Sequence, residues 1–249
     1  NVGFSTSKSN YSSHQEEAVV TTLVPLDENS SITYNNVNNI TYQGIIAQGG
    51  TFIYNGVDNI NKEAVELHNS STNSSSNFGM NVGAGIGAGG NIQRGSNGQV
   101  GITGNISAGK SNMNTTETVY QNGTFSNVNE VHNGTGTMTL DGFNQVGGTV
   151  TGSIANLNIS SKQNTSSTSG SSSNGSIGIP IVGGGAITGS AGYSKTTGDR
   201  AFVDNQSSFI VGEGSNLVIG NASNIGSVVG TVEDGKIVIQ NYHGEDIQN

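Results

Sequence analysis

Apolar residues occupy every second position between Phe78 and Ala88, where the chain reads FGMNVGAGIGA, and the positions between them are glycine or asparagine. A period of two is the strand period, because successive side chains of a strand point to opposite faces. One face of this strand would be apolar and the other almost bare backbone. Glycine in a strand often marks a close approach of a neighbouring backbone or sheet, which we expect here. The alternative is a disordered Gly/Ser linker, and the strict alternation argues against it.

The same alternation recurs along the chain. It follows the Ser-rich stretch Asn69–Asn77 and returns after a second one, Thr165–Ser176, as IGIPIVGGGAITGSAGYSKTTGD, while the N-terminal NVGFSTSKSN matches only the second half. These segments predict strand pairs whose turns lie near Gly95–Gly98 and Gly183–Gly185. The shared end of the three copies is marked by a lysine, which we interpret as a solubilising charge at a strand end. These lysines are Lys8, Lys110 and Lys195.

Short apolar pairs separated by Asn/Gly turns fill the rest of the chain. Three pairs have the same eight-residue spacing, and we align them as equivalent: Ile32 with Ile40, Met138 with Val146, and Leu217 with Ile225. This pattern is typical of strand–turn–strand coils, each of which must stack on the next to bury its apolar face. Asn tolerates a left-handed backbone at turns and can form ladders from coil to coil. The sequence therefore predicts an all-β, parallel β-helix with Gly-rich β-hairpin segments.

Composition supports ordered β structure. Charged residues are 10% of the chain, against about 25% in ordinary domains, and 39 Gly, 31% apolar residues and no Cys or Trp accompany them. A net charge of −9 argues against nucleic acid and against anionic membrane surfaces as primary partners. Without Cys the chain has no disulfides and no thiolate metal sites. No signal peptide is visible and the first residue is Asn1, so we expect a mature or excised fragment.

The order of these parts carries a resemblance. A Ser-rich lead-in (NSSTNSSSN) precedes the Gly-alternating pair (FGMNVGAGIGAGG, GQVGITGNISAGKSN), then a Thr/Asn-rich bridge (TTETVYQNGTFSNVNEVHNGTG) and the closing run TMTLDGFNQVGGTVTGSIANLNISSKQNTSST. This arrangement resembles the hemagglutinin repeat of large bacterial exoproteins secreted by two-partner systems, which include filamentous hemagglutinin and contact-dependent growth inhibition exoproteins. The resemblance divides the chain into a truncated first repeat (1–68) and two complete ones (69–164 and 165–249), forming one continuous rod.

The resemblance implies a non-enzymatic rod segment of a right-handed β-helix. At roughly twenty residues per coil, 249 residues would make about a dozen coils, stacked about 4.8 Å apart. It implies a protein secreted to the surface of a Gram-negative bacterium and associated with its outer membrane, serving adhesion or the presentation and delivery of a C-terminal toxin. The implied partners are a host or neighbouring bacterial cell surface, the outer-membrane transporter of the full-length protein and a target-cell outer membrane. Because the ends of such a rod are exposed sheet edges, we also expect that copies of the chain can associate end to end.

Two His/acid clusters could be imagined as metal sites. His14 lies close to Glu16 and Glu17 in SSHQEEA, where a solvated turn is the better interpretation because no second His is near in sequence. A second cluster, His243 with Glu245 and Asp246, lies at the chain end, where fraying is expected. We assign no catalytic, cofactor or metal residues.

Two further motifs give little support for a binding site. The G-x-G-x-x-G of Gly85, Gly87 and Gly90 needs a following helix to bind phosphate, and no helical pattern follows. The stretch 58–61 (Asp-Asn-Ile-Asn) offers oxygen ligands without the spacing of a Ca²⁺ loop, and Ca²⁺ stays an alternative there.

The second hypothesis for the function is a β-helix polysaccharide-active enzyme or glycan-binding module, which would need carboxylates grouped on one face. A third idea is that the Gly-rich strands engage a target membrane, since their alternation is compatible with membrane β-strands.

Overall fold

The computed structural model of the protein describes residues 2–19, 21–23, 29–87, 99–182 and 186–249. Every helix or strand in these residues is a β-strand, so the predicted all-β class is confirmed. The strands are β1 (Val2–His14), β2 (Thr22–Leu23), β3 (Ser31–Asn35), β4 (Asn39–Gln43), β5 (Ile46–Gln48), β6 (Thr51–Asn55), β7 (Asn59–Glu63), β8 (Val65–Gly87), β9 (Gln99–Gln121), β10 (Gly123–Ser126), β11 (Asn129–Asp141), β12 (Phe143–Val146), β13 (Val150–Ser160), β14 (Asn164–Val182), β15 (Thr188–Phe202), β16 (Ser208–Val211), β17 (Asn216–Ile225), β18 (Val228–Thr231) and β19 (Lys236–Glu245).

The chain divides into two compact units, each assembled from three stretches. The first, which we call the sheet unit, comprises Asn1–Gln15, Asn69–Thr116 and Ser166–Asp199. The second, the coil unit, comprises Glu16–His68, Glu117–Thr165 and Arg200–Asn249. The predicted repeat boundaries stay a prediction.

Two parallel sheets build the coil unit. The shorter strands form one sheet in the order β18-β16-β12-β10-β5-β2, and the longer strands form the other in the order β19-β17-β13-β11-β6-β3, with β4 and β7 extending the latter beside β11. Each coil contributes one strand to the first sheet and one or two to the second. Backbone N–H and C=O groups are therefore paired from coil to coil.

Strand register gives the length of one coil. Ser31 lies opposite Thr51, and Asn35 opposite Asn55, so the equivalent residue lies 20 positions further along the chain. The same spacing places Asn221 opposite Asn241. The predicted coil length of roughly twenty residues is confirmed.

The described residues contain six coils, about half of what complete stacking of the chain would give. The reason is that long stretches of chain do not continue the coils. Between the second and third coils the chain passes through β8 and β9, and between the fourth and fifth it passes through β14 and β15.

Inward-facing side chains of the coil unit stack in columns that run from coil to coil. On the first sheet one column holds Leu23, Ala47, Phe125, Gln145, Phe209 and Val229. The second sheet has four such columns. The first holds Ile32, Phe52, Glu130 and Val150, and the second holds Tyr34, Tyr54, His132, Gly152, Leu217 and Ile237. The third holds Ile40, Ile60, Met138, Leu157, Ala222 and Tyr242, and the fourth holds Tyr42, Lys62, Leu140 and Ile159. Most of these side chains are fully buried.

The predicted equivalence of Ile32, Met138 and Leu217 is wrong. Ile32 lies opposite Phe52, Met138 lies opposite Ile60, and Leu217 lies opposite Gly152, which are positions in three different columns. The eight-residue spacing joins β3 to β4 within one coil in the first pair, β11 to β12 of the next coil in the second, and two positions of β17 in the third. It therefore cannot fix which coils correspond.

Asparagine has the two roles that the sequence predicted. Asn36 and Asn127 adopt positive φ angles of 52° and 51° at turns. On the surface, the side chain of Asn133 donates to Asn55 and that of Asn55 donates to Asn35, both at 2.7 Å. A second ladder runs from Asn241 through Asn221 to Asn156, with bonds of 3.0 and 2.9 Å. These ladders confirm the prediction that Asn stacks from coil to coil.

The sheet unit holds the five strands in the order β1-β8-β9-β14-β15. β1 and β8 are antiparallel, with Phe4 opposite Met80. Gly79 lies beside Ser107 and Gly109 beside Asn77, so β8 and β9 also run antiparallel. The predicted strand pairs β8–β9 and β14–β15 are confirmed, and the predicted turns at 95–98 and 183–185 lie outside the described residues.

Two glycines with similar backbone angles allow a matched test of close coil stacking. Gly148 has φ of 78°, and a Cβ there would overlap the carbonyl group of Val128 in the preceding coil. Gly134 has φ of 77°, and a Cβ there would have nothing within 4 Å. We expect Gly134→Ala to lower the free energy of unfolding by about 1–2 kcal/mol, the cost of a left-handed backbone.

Gly148→Ala should cost about 1–3 kcal/mol more, because the coils must also separate locally. Urea unfolding of the two variants and the unaltered chain measures both losses. Equal losses would show that the coils do not approach as closely as described.

Candidate functional site

An exposed apolar surface covers one side of the sheet unit. Its side chains are between 39% (Ile106) and 81% (Val2) exposed, values that are unusual for large apolar residues lying side by side. We call this surface the apolar face, and its members are Val2, Phe4, Phe78, Met80, Val82, Ile106, Ile177, Ile179, Ile181, Ile187 and Tyr193.

Strand neighbours show that these side chains share one side of the sheet. Val2 lies opposite Val82 and Phe4 opposite Met80, and paired residues of antiparallel strands point the same way. A Cβ on Gly104 would lie 3.3 Å from the side chain of Ile181, which links the even positions of β9 to the odd positions of β14. The alternation in the sequence therefore becomes a continuous surface across the five strands.

Glycine and polar residues form the other side. A Cβ on Gly79 would meet the hydroxyl of Ser107 at 3.0 Å, and at Gly109 and Gly192 it would meet the side chains of Asn77 and Asn174. Neighbouring groups therefore approach these glycines closely, as the sequence predicted. At these glycines the neighbour is a polar side chain of an adjacent strand, where the sequence had suggested a backbone or a second sheet.

The three lysines lie on the apolar face. Lys8 lies opposite Ser76, and Lys110 follows Gly109, whose neighbour across the strands is Asn77. Lys8 and Lys110 therefore flank Ser76 from its two sides, and Lys195 lies two positions beyond Tyr193. All three are exposed and lie inside β1, β9 and β15, so the prediction that they mark strand ends is wrong. They border the apolar side chains with positive charge.

A second feature lies inside the coil unit, and we call it the buried polar cluster. It consists of Lys62, Glu130, His132, Gln145 and Tyr54, all with 0% exposure. Its residues come from β6, β7, β11 and β12 and so from three successive coils. In the columns that contain Lys62, Glu130 and Gln145, the neighbouring coils place mostly aromatic or aliphatic side chains.

Glu130 is the centre of this cluster. Its Oε1 accepts a hydrogen bond from Lys62 Nζ at 2.6 Å, and its Oε2 accepts one from Gln145 Nε2 at 2.9 Å. Lys62 Nζ also donates to Gln145 Oε1 at 2.5 Å. His132 Nε2 lies 3.3 Å from Oε2, and the Tyr54 hydroxyl donates to Oε1 at 3.3 Å.

Burial and charge act on the cluster in opposite directions. Burial lowers the pKa of Lys62, although the Glu130 carboxylate opposes that change. Burial alone would raise the pKa of Glu130, but the charge of Lys62 and the hydrogen bond from His132 hold it below its usual value. The aromatic ring of Phe125, 4.6 Å from Lys62 Nζ, completes the apolar surroundings.

Sequence reasoning missed this cluster because it looked for grouped carboxylates on an outer face. The signal is present once the chain is aligned at the coil length of 20 residues. At that spacing Glu130 aligns with the apolar Val150, and Lys62 aligns with the aromatic Tyr42. A polar residue in an apolar column is unusual because a buried charge needs a partner.

The two His/acid groups, for which the sequence favoured a solvated turn and a frayed chain end, lie in largely exposed parts of the chain. His14 is the last residue of β1, and the Glu16 carboxylate accepts a hydrogen bond from the backbone N–H of His68 at 2.7 Å. His243 and Glu245 pair at 2.8 Å on β19, with both side chains more than half exposed. Glu17 and Asp246 lie outside the strands.

The remaining candidates do not form a site. Asp58 lies in a turn, and the side chain of Asn59 donates to Asn39 at 3.1 Å as part of a surface ladder. Gly85 and Gly87 lie in β8, and Gly90 lies outside the described residues. Across the described ranges, no three His, Cys, Asp or Glu side chains are grouped so that they could hold a metal ion. The same part of the chain contains no helix long and apolar enough to span a membrane.

Removing the central carboxylate should destabilise the coil unit. Glu130→Ala leaves the buried Lys62 ammonium without its partner, and we expect a loss of about 3–5 kcal/mol in the free energy of unfolding. The control is Lys162→Ala, which breaks the partly exposed pair of Lys162 with Asp141 and should cost at most about 1 kcal/mol. Urea unfolding measures both. A loss for Glu130→Ala as small as that of the control would contradict the assigned role.

Comparison with known proteins identifies the family. A family model described as the hemagglutinin repeat matches residues 2–175, which is more than half of the chain. No curated protein matches the chain. No solved structure matches it either. The chain belongs to the hemagglutinin repeat family, whose members are adhesin-like repeats of secreted or cell-surface exoproteins.

Proposed function

We propose that the chain is a non-enzymatic segment of a bacterial surface exoprotein that contacts the lipid surface of another cell through the apolar face. The coil unit serves as the scaffold that is repeated along the protein. The observation that carries this proposal is the combination of exposed apolar side chains with a border of lysines on one side of a single sheet.

The apolar face has the chemistry of a lipid-binding surface. Large apolar side chains such as Phe4 and Met80 are 64% and 46% exposed, and burying each in acyl chains would gain about 1.5–3 kcal/mol. Lys8 and Lys110 have long apolar stems and can place their ammonium groups at the level of lipid phosphates. Amphipathic helices that lie in membrane interfaces combine the same two elements.

The coil unit suits a scaffold. Its strands pair in parallel from coil to coil, and its inward columns are buried, so further coils can be added at either end at the same register. We propose a right-handed winding, since parallel connections between strands of one sheet are right-handed in about 98% of cases. Among the described residues, β3 and β19 are the outermost strands of the second sheet, and their outer edges support end-to-end self-association.

Family membership supports the wider setting. We propose secretion by a two-partner system, with an outer-membrane transporter for the full-length protein and a Gram-negative surface as its location. Within that setting the segment serves adhesion to a host or neighbouring cell, or the delivery of a C-terminal toxin across a target-cell outer membrane in contact-dependent growth inhibition. The alternative of a polysaccharide-active enzyme would rest on the carboxylates Glu213, Glu233 and Asp234, which lie together in exposed turns of two successive coils, where the hydrogen bond with Glu233 and the nearby charges raise the pKa of Glu213.

Vesicle binding tests the proposal. The complete 249-residue chain is mixed with phosphatidylcholine vesicles, with and without phosphatidylglycerol, and bound protein is measured by co-sedimentation. The double variant Phe4→Ser with Met80→Ser should lose about tenfold or more in affinity for both kinds of vesicle, because two apolar anchors are removed. Lys8→Gln with Lys110→Gln should weaken binding only to the anionic vesicles.

The control is Val218→Ser with Val238→Ser, which removes two apolar side chains of the coil unit that are 38% and 40% exposed. We expect it to bind both kinds of vesicle as the unaltered chain does. Absence of vesicle binding by the unaltered chain, or equal losses in the two double variants, would contradict a lipid-binding role for the apolar face.

A further inference from the structure

Lys62, Gln145 and Glu130 place an amine, a primary amide and a carboxylate in mutual contact in the interior of the coil unit. We propose that Lys62 and Gln145 become joined by an intramolecular isopeptide bond between Lys62 Nζ and Gln145 Cδ, and that Glu130 transfers the protons. Nothing in the proposed lipid-binding function requires this bond, so the two proposals stand or fall separately.

The reacting atoms are close enough for the amine to add to the amide. Lys62 Nζ lies 2.5 Å from Gln145 Oε1, and a C=O bond of about 1.23 Å separates that oxygen from Cδ. The nitrogen is therefore at most about 3.7 Å from the carbon, close to the separation of reactants held ready for attack.

Glu130 contacts both nitrogens whose protons must move. Its Oε1 accepts from Lys62 Nζ at 2.6 Å and its Oε2 from Gln145 Nε2 at 2.9 Å. One carboxyl group can thus take a proton from the nucleophile on one oxygen and give a proton to the leaving group from the other. His132 and Tyr54 contact the two oxygens separately and hold the carboxyl group in this orientation.

Burial favours a neutral amine, whereas the Glu130 carboxylate and the two nearby phenyl rings favour the ammonium form. All three side chains have 0% exposure, and the rings of Phe125 and Phe143 lie 4.6 and 6.0 Å from Lys62 Nζ. Burial lowers the pKa of Lys62, which makes the unprotonated, nucleophilic form easier to reach. Moving the proton from Lys62 to Glu130 replaces two buried charges with two neutral groups.

The reaction balances without any other reactant. The Lys62 ammonium gives one proton to Glu130, and the resulting amine adds to Cδ of Gln145, forming the Nζ–Cδ bond. A proton then reaches Nε2, the Cδ–Nε2 bond breaks, and Nε2 leaves as ammonia, which takes up the remaining proton as ammonium. A secondary amide links the two side chains, Glu130 is a carboxylate again, and no atom is oxidised or reduced.

The bond would lock coils together. Lys62 lies in β7 of the second coil and Gln145 in β12 of the fourth, and the two are 83 residues apart in the chain. The link would close a loop that contains β8 and β9, the strands that interrupt the succession of coils. A cross-link over such a loop restricts the unfolded chain and keeps the coils in register.

The decisive measurement is the mass of the unaltered 249-residue chain under denaturing conditions. We expect the intact protein to be lighter than its sequence by one ammonia. A proteolytic digest should contain a branched peptide that joins the segment around Lys62 to the segment around Gln145, and trypsin should no longer cleave after Lys62. A chain with the full mass of its sequence would overturn the proposal.

Two other mass results would overturn it as well. Loss of ammonia without a branched peptide would indicate succinimide formation at an Asn-Gly step such as Asn133–Gly134. Loss of water with a peptide joining Lys62 to Glu130 would show that the carboxylate is the acceptor of the amine.

Variants test the part played by the carboxylate. Glu130→Gln retains both reacting side chains and should have the full mass of its sequence, whereas Glu213→Gln, which changes an exposed carboxylate, should still lose ammonia. Formation of the bond in Glu130→Gln would rule out proton transfer by Glu130. Because the unaltered chain decides whether the bond exists, the test does not depend on the folding of any variant.

Discussion

Hydrogen bonding between successive coils, at a register of 20 residues, is the constraint from which the rest of the coil unit follows. Parallel pairing places each residue beside its equivalent in the next coil, so a side chain that faces inward in one coil faces inward in all. Columns of like residues result, apolar inside and asparagine outside. A substitution at one inward-facing position therefore changes the contacts with two neighbours, one in each adjacent coil. A polar residue in an apolar column must find its hydrogen-bond partners among the residues of the adjacent coils.

The buried polar cluster shows what such compensation requires. Lys62, Glu130 and Gln145 each break an apolar column, and each alone would leave a polar group buried without a partner. Together they satisfy one another, with distances of 2.5–2.9 Å between their polar atoms. Replacing all three by apolar residues would be an easier way to fill the interior, since a buried ion pair is often no more stabilising than good apolar packing. The presence of three mutually bonded polar side chains in the interior therefore suits a chemical role better than a purely stabilising one.

The sheet unit is organised differently. Its glycines keep one side of the sheet nearly free of large side chains, and Asn77 and Asn174 fold over the glycines of the neighbouring strands. The opposite side carries the apolar side chains, which in the described residues stay largely exposed. The coil unit buries its apolar side chains between two parallel sheets, whereas the apolar face of this single sheet remains available for contact. The two units therefore suit the different roles of scaffold and contact surface.

The sequence by itself determined the strands and much of their surface chemistry. Strict alternation around Phe78 predicted a strand with one apolar side, because the side chains of a strand alternate with a period of two residues. The Asn-rich turns predicted ladders, because the preference of Asn for turns is a local property of the backbone. The order of the Ser-rich, Gly-rich and apolar segments was also enough to suggest the family. Only the tertiary structure decided which coils correspond and what their interior contains. Ile32 and Met138 share a local spacing but lie in different columns, because register is fixed by pairing between distant strands.

The interior chemistry shows the same limit. Lys62 meets Glu130 and Gln145 across 68 and 83 residues of chain, on strands of both sheets. No local pattern connects them. Their meeting depends on the length of a coil and on where the chain leaves the coils for β8 and β9, and both are properties of the folded molecule.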